Sequence, residues 1–176
     1  ANCPIGSSIR FVPFMKDTKL KGLQQHHFDS YTAGSDMKMY QIAPKPGVIR
    51  WERVDSIVAY TKKNNQRLFG HTLIWHSATP KWIEKKAKKD PAWLEGFMKN
   101  YIQTYIKKYK GIVHGWDVVN EGLNTKGAGF RTESIWYKTM GQSYIEKAFQ
   151  YAHEADPNAV LFYNDFNIER DTLKFN

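Results

Sequence analysis

The chain has 176 residues, 41% of them apolar and 15% aromatic, which suits one domain with a packed core and includes no stretch apolar enough to cross a bilayer. Its net charge of +9, from 26 basic and 17 acidic residues, gathers at Lys81, Lys85, Lys86, Lys88 and Lys89 and at Lys107, Lys108 and Lys110. These lysines fall on the polar sides of predicted helices with no nucleic-acid motif around them, so they read as a solvated surface and no nucleic-acid partner is expected.

The single cysteine, Cys3, excludes an intrachain disulfide. Ala1-Asn2-Cys3-Pro4 does not read as a signal peptide. Pro4 to Phe14 contains a first strand candidate, Lys19 to Gln25 a short helix, and His27 to Thr32 a second strand. The turn residues Ala33, Gly34 and Ser35 follow, and Asp36-Met37-Lys38-Met39 leads into a loop marked by Pro44, Pro46 and Gly47. Val48 to Asn64 has helical spacing in Trp51, Val54, Ile57, Val58 and Tyr60. Arg67 to Trp75 is a third strand, and Gly70 within it predicts a bend or a close backbone approach.

Asp90-Pro91 has the pattern of an N-cap followed by proline in the first turn, opening a helix with Trp93, Leu94, Phe97, Met98, Tyr101, Ile102, Tyr105 and Ile106 on one broad face. Ile112 to Asn120 is a fourth strand, an apolar run that ends in an amide and then a carboxylate, Glu121. After a glycine-rich loop, Thr132 is placed to cap one further helix that Asp156-Pro157-Asn158 stops. Ala159 to Tyr163 is a fifth strand, again running into polar groups at Asn164 and Asp165.

Strand and helix alternate throughout, which predicts an α/β fold with a parallel sheet and helices outside. The rhythm fits a (β/α)8 barrel, of which this chain supplies about the first five units. Five strands do not close such a barrel, so the expectation is a fragment, a barrel completed by a partner segment, or an open sheet.

In a parallel β/α protein the chemistry sits at the carboxyl ends of the strands. There the sequence places Lys38, His71, Trp75, His76, Asn120, Glu121, Asn164 and Asn167. Amides, a lysine, histidines, a tryptophan and a carboxylate suit a neutral ligand rich in hydroxyls, with an apolar face to pack on a ring. No phosphate-binding loop or dinucleotide fingerprint is present, and no cofactor is expected. His71 and His76 lack the spacing of a helical zinc pair, and no metal is expected. Trp116 reads as core, Trp75 as ligand contact, and His114 as packing or surface. Asp117 lies four residues before Glu121 on one strand, so both side chains are expected on the same side; it either raises the proton affinity of Glu121 or holds a neighbouring group, or is a buried aspartate with a local partner.

Gly70-His71-Thr72-Leu73-Ile74-Trp75-His76-Ser77, Trp116-Asp117-Val118-Val119-Asn120-Glu121 and Tyr163-Asn164-Asp165-Phe166-Asn167-Ile168-Glu169 resemble the successive signatures of glycoside hydrolase family 10, the endo-β-1,4-xylanases. Ser134-Ile135-Trp136-Tyr137 and Ala155-Asp156-Pro157-Asn158-Ala159 resemble the segments between. The resemblance implies a retaining hydrolase acting on xylan or xylo-oligosaccharides outside the cell or at its surface. It gives Glu121 the role of general acid/base, Asn120 the sugar 2-hydroxyl, His71 and Trp75 the −1 sugar, and Lys38 the −2 sugar. Asn164 matches the family asparagine beside the acid/base. The family nucleophile comes from a seventh strand and has no counterpart here, so it is expected from the missing carboxyl-terminal half of the barrel. Gly34-Ser35 replaces the family's Glu-Asn pair and Met39 the following tryptophan, which predicts a weaker or reshaped −2 site, and Phe166 replaces a tyrosine. The alternatives are a barrel that binds xylan, or inhibits its hydrolysis, without catalysing it, and a metal-dependent hydrolase.

Overall fold

The computed structural model describes residues 3–175, and the expectations drawn from Ala1, Asn2 and Asn176 lie outside the described residues. Strands β1 (Gly6–Ile9), β2 (Ser30–Ala33), β3 (Arg67–Trp75), β4 (Val113–Asn120) and β5 (Val160–Asn164) form one sheet, parallel throughout and in sequence order. Parallel neighbours need crossovers. Helices α1 (Phe11–Lys16) and α2 (Thr18–His27) supply the first, and α3 (Met39–Ile42) and α4 (Glu52–Lys63) the second. Next come α5 (Lys81–Lys89) with α6 (Pro91–Lys108), then α7 (Ile135–Met140) with α8 (Ser143–Ala155), and α9 (Thr172–Phe175) follows β5.

The core lies between the sheet and these helices, where Tyr31, Leu68, Trp116 and Val118 meet Phe14, Ile57, Tyr105 and Ala148. Gly70 is glycine because its register partner on β4 is Trp116. A Cβ there would stand 2.2 Å from Trp116 Cε3, so the close approach expected from the sequence is a side chain lying over the strand. On the other face, Phe69 and Phe162 meet over Gly115 with ring centroids 5.4 Å apart. Val160 and Phe162 are exposed on that face.

Several boundaries move from their sequence expectations. The helix expected from Val48 starts at Glu52, because Gly47 is left-handed and Val48 bridges to Lys45. His27 ends α2 instead of opening β2. Part of the first strand candidate is helix, with Phe14 turned into the core. The single helix expected after β4 is two, because Gly141 adopts φ 63° between them. Ser134, not Thr132, caps the first of these, its Oγ accepting from the Trp136 N–H at 3.3 Å. Asp90 caps α6 as expected, accepting from the Trp93 N–H. The α5 lysines 81, 85, 86, 88 and 89 are exposed while Ile83 and Ala87 face the core. Among the described residues no helix is long and apolar enough to cross a membrane.

Candidate active site

Strand β4 is buried along nearly its whole length and delivers Asn120 and Glu121 at its carboxyl end. The chain turns sharply there, with Glu121 at φ 54°. A left-handed conformation costs a non-glycine residue about 1–2 kcal/mol. The local hydrogen bonds offset that cost. The Glu121 N–H donates to the Asn164 carbonyl at 2.8 Å, and its own carbonyl accepts from Arg131 Nε at 3.1 Å. A bond from a charged donor contributes about 1.5–3 kcal/mol, so Arg131 alone is sufficient.

The next two residues are tied down as well. The Gly122 N–H donates to Tyr163 Oη at 3.0 Å, and the Leu123 N–H donates to Asp165 Oδ2. Tyr163 Oη donates to the same Asp165 oxygen at 2.6 Å, and Lys174 Nζ donates to Asp165 Oδ1 at 2.6 Å. The Asp165 and Lys174 side chains are fully buried. Burial, reinforced by Asp165, pushes the Tyr163 hydroxyl pKa well up and keeps it a donor.

The Glu121 carboxyl is held from β3. Trp75 Nε1 donates to Glu121 Oε2 at 2.8 Å. Lys38 Nζ lies 4.6 Å from the centre of the Trp75 ring, a cation–π contact. Burial lowers the Lys38 pKa, and the charge of Glu121 opposes that shift. Trp75, Asn120 and Asn164 are register partners across β3, β4 and β5, and Asn164 Nδ2 donates to Asn120 Oδ1 at 2.8 Å. The structure thus brings Lys38, Trp75, Asn120, Glu121 and Asn164 together at one end of the sheet.

His71 stands further back along β3, opposite Asp117 and across a register shift from the Trp75 row, with Nδ1 2.7 Å from Asp117 Oδ2. Asp117 is buried and holds its neighbour His71, which fits both the neighbouring-group and the local-partner readings of it. Strict alternation along β4 fails here because its pairing is irregular beyond Asp117 and Glu121 turns left-handed. His76 presents Nε2 to Ser77 Oγ, while its buried Nδ1 has no hydrogen-bond partner. Burial and then the Arg131 charge lower its pKa, against the pull of Glu121, Glu133 and Asp165. Among the described residues no three His, Cys, Asp or Glu side chains stand together as a metal cluster.

Sequence reasoning missed Arg131, Tyr163, Asp165 and Lys174 as supports of Glu121. The polar ending of β5 pointed to Asp165. Nothing in the local pattern marks Arg131 or Lys174.

Five sequential parallel β/α units with polar side chains collected at the strand ends define a segment of a (β/α)8 barrel whose working face is that end. The family model described as glycosyl hydrolase family 10 matches residues 2–176. A beta-1,4-xylanase of Dictyoglomus thermophilum is 42% identical over 154 residues, covering 88% of this chain and 43% of its own length. The structure of a family 10 protein from Paenibacillus barcinonensis superposes with TM-score 0.89 at 37% identity, over 97% of this chain and 53% of that one. Xylanase 10B of Thermotoga petrophila, solved in complex with xylobiose, gives TM-score 0.85 at 35% identity over 96% and 51%. The chain belongs to glycosyl hydrolase family 10. It spans less than half the length of the curated relatives it matches.

Proposed function

We propose that the protein to which this chain belongs is a retaining endo-1,4-β-xylanase that cleaves internal bonds of xylan and xylo-oligosaccharides, with Glu121 as general acid/base. The observation that carries this is the Glu121 carboxyl at the end of β4, aimed by the Trp75 indole and flanked by the Asn120–Asn164 amide pair. In this reading Glu121 protonates the departing sugar oxygen and then takes a proton from the attacking water. Asn120 bonds the 2-hydroxyl of the sugar at the cleavage point. His71, oriented by Asp117, and Trp75 line the −1 position, Lys38 holds the −2 sugar, and Asn164 supports Asn120. Relatives named as xylanases and a xylobiose complex among the structural neighbours favour a xylose polymer as the substrate.

A retaining mechanism needs a nucleophile ~5–5.5 Å from the acid/base. Two carboxylates close to the site in the fold are already committed, Asp117 to His71 and Asp165 to Lys174 and Tyr163. The proposal therefore places the nucleophile outside the five strands, in the remainder of a single catalytic barrel. Gly34-Ser35 offers neither a carboxylate nor an amide in place of the family pair, so in this reading the −2 site is weaker or reshaped. In this reading a polymeric substrate favours a protein that acts outside the cell or at its surface.

The test is Glu121→Gln in the complete enzyme. Loss of the proton donor lowers xylan cleavage by about 10²–10⁴-fold, while an aryl xyloside with an acidic leaving group is affected less in the first step. Xylan cleavage at the parental rate by that variant refutes the reading.

A further inference from the structure

Glu121 is fixed at three points. The sheet holds its N–H through the Asn164 carbonyl, Trp75 holds Oε2, and Arg131 holds its carbonyl. The first two are strand neighbours. The third comes from the far arm of a loop that leaves the strand end and returns. Its two arms are closed by the Leu123–Phe130 bridge and by the Arg131 N–H donating to the Gly122 carbonyl at 2.9 Å.

The Arg131 guanidinium is a buried planar fork, and each of its nitrogens has a separate partner. Nε donates to the Glu121 carbonyl at 3.1 Å, one terminal nitrogen to Glu133 Oε1 at 3.0 Å and the other to Thr125 Oγ1 at 3.2 Å. One rigid group thus ties the residue before the loop, a residue within it and a residue after it. The fork directions are fixed, so the Glu121 carbonyl has one place to point. The position of that carbonyl depends on φ and ψ of Glu121 together, and φ also sets the Cα–Cβ bond relative to the N–H that the sheet holds. Pinning the peptide units on both sides of Cα therefore restricts φ and with it the direction of Cα–Cβ, and Trp75 selects the rotamer that brings Oε2 to its indole N–H.

We propose that Arg131 is a positioning residue for Glu121, orienting its peptide through Nε–H and thereby aiming its carboxyl at the open end of the sheet. The proposal deepens the acid/base reading and rests on it. Arg131 does not touch the carboxyl in this arrangement, and Glu133 balances its charge at the loop exit.

The Trp75 indole N–H is a direct reporter, because its hydrogen bond forms only when the Glu121 carboxyl is aimed as described. Two-dimensional ¹H–¹⁵N spectra and indole hydrogen exchange are measured on the complete protein and on its Arg131→Met, Arg131→Lys and Lys110→Met variants. The last breaks the Lys110–Asp156 ion pair at the opposite end of the strands and controls for general loosening. In Arg131→Met the Trp75 indole proton moves upfield and exchanges about tenfold faster or more, well below the melting temperature. Arg131→Lys, which keeps the charge but loses the fork, falls between Met and the parent, and Lys110→Met leaves the indole unchanged. If Arg131→Met fails to fold, Arg131→Lys decides. An unmoved Trp75 signal in the deciding variant overturns the proposal, as does an equal change in Lys110→Met. These spectra need no turnover, so their outcome is separate from that of the Glu121→Gln assay.

Discussion

Gly70→Ala tests the close packing of β3 under Trp116. The added methyl carbon would stand 2.2 Å from Cε3, 2.6 Å from Cζ3 and 2.7 Å from Cδ2 of the indole. Carbon contacts are optimal near ~3.5–4.0 Å, so the strand or the ring must give by more than about 1 Å. The ring has nowhere to go, because Trp116 is 2% exposed and packs edge-on to Tyr105 at 5.1 Å. Overpacking of this kind costs about 3 kcal/mol, the upper part of its usual range. For a chain of this length that lowers Tm by about 6–12 °C. The assay is thermal and urea unfolding of the parent, Gly70→Ala, Trp116→Leu and the double variant. Leucine removes the ring atoms that clash, so the double variant should lose less stability than the sum of the singles, by about 1–3 kcal/mol. A Gly70→Ala melt within about 1 kcal/mol of the parent, or strictly additive losses, refutes the account of why residue 70 lacks a side chain.

Two further perturbations probe the support of the site. Lys174→Met leaves Asp165 buried without its cation and should cost about 3–5 kcal/mol in urea unfolding, with part of the loss recovered by adding Asp165→Asn. A loss under about 1 kcal/mol would show that this pair does not hold the segment after Glu121. His76 has its pKa lowered in the fold by burial and by Arg131. Between its unfolded value of 6.5 and that lower folded value the unfolded chain binds the extra proton, so stability falls as pH drops below 6.5. Thermal melts at about pH 7.5 and 5.5 should show this decline in the parent and a flatter response in His76→Gln, and identical slopes would remove His76 as the cause.

What the sequence made legible was local. Asp90-Pro91 announced its cap, the apolar run ending in Asn120-Glu121 announced a strand emerging at a polar face, and Gly70 announced close packing. Trp75 was legible as a residue at a strand end, but its bond to the Glu121 carboxyl was not. What stayed hidden depends on groups brought together by the fold. Arg131 reaches the Glu121 carbonyl only after a loop turns back on itself, and Lys174 reaches Asp165 only because the chain after β5 folds inward. A period of two puts Asp117 on the Glu121 side, but it assumes a regular strand, while the pairing of β4 slips past that residue. Helix boundaries moved where a single left-handed glycine, Gly47 or Gly141, outweighed apolar spacing on either side.

The bond from Trp75 to Glu121 has a stereochemical consequence. An indole nitrogen gives a hydrogen and never receives one, so the oxygen it touches stays a receiver through every charge state of the acid. When the group takes up a hydrogen, that hydrogen belongs on Oε1. Two atoms that are equivalent in free glutamic acid are therefore made distinct by a ring 46 residues earlier in the chain, and the transferable proton has a fixed address.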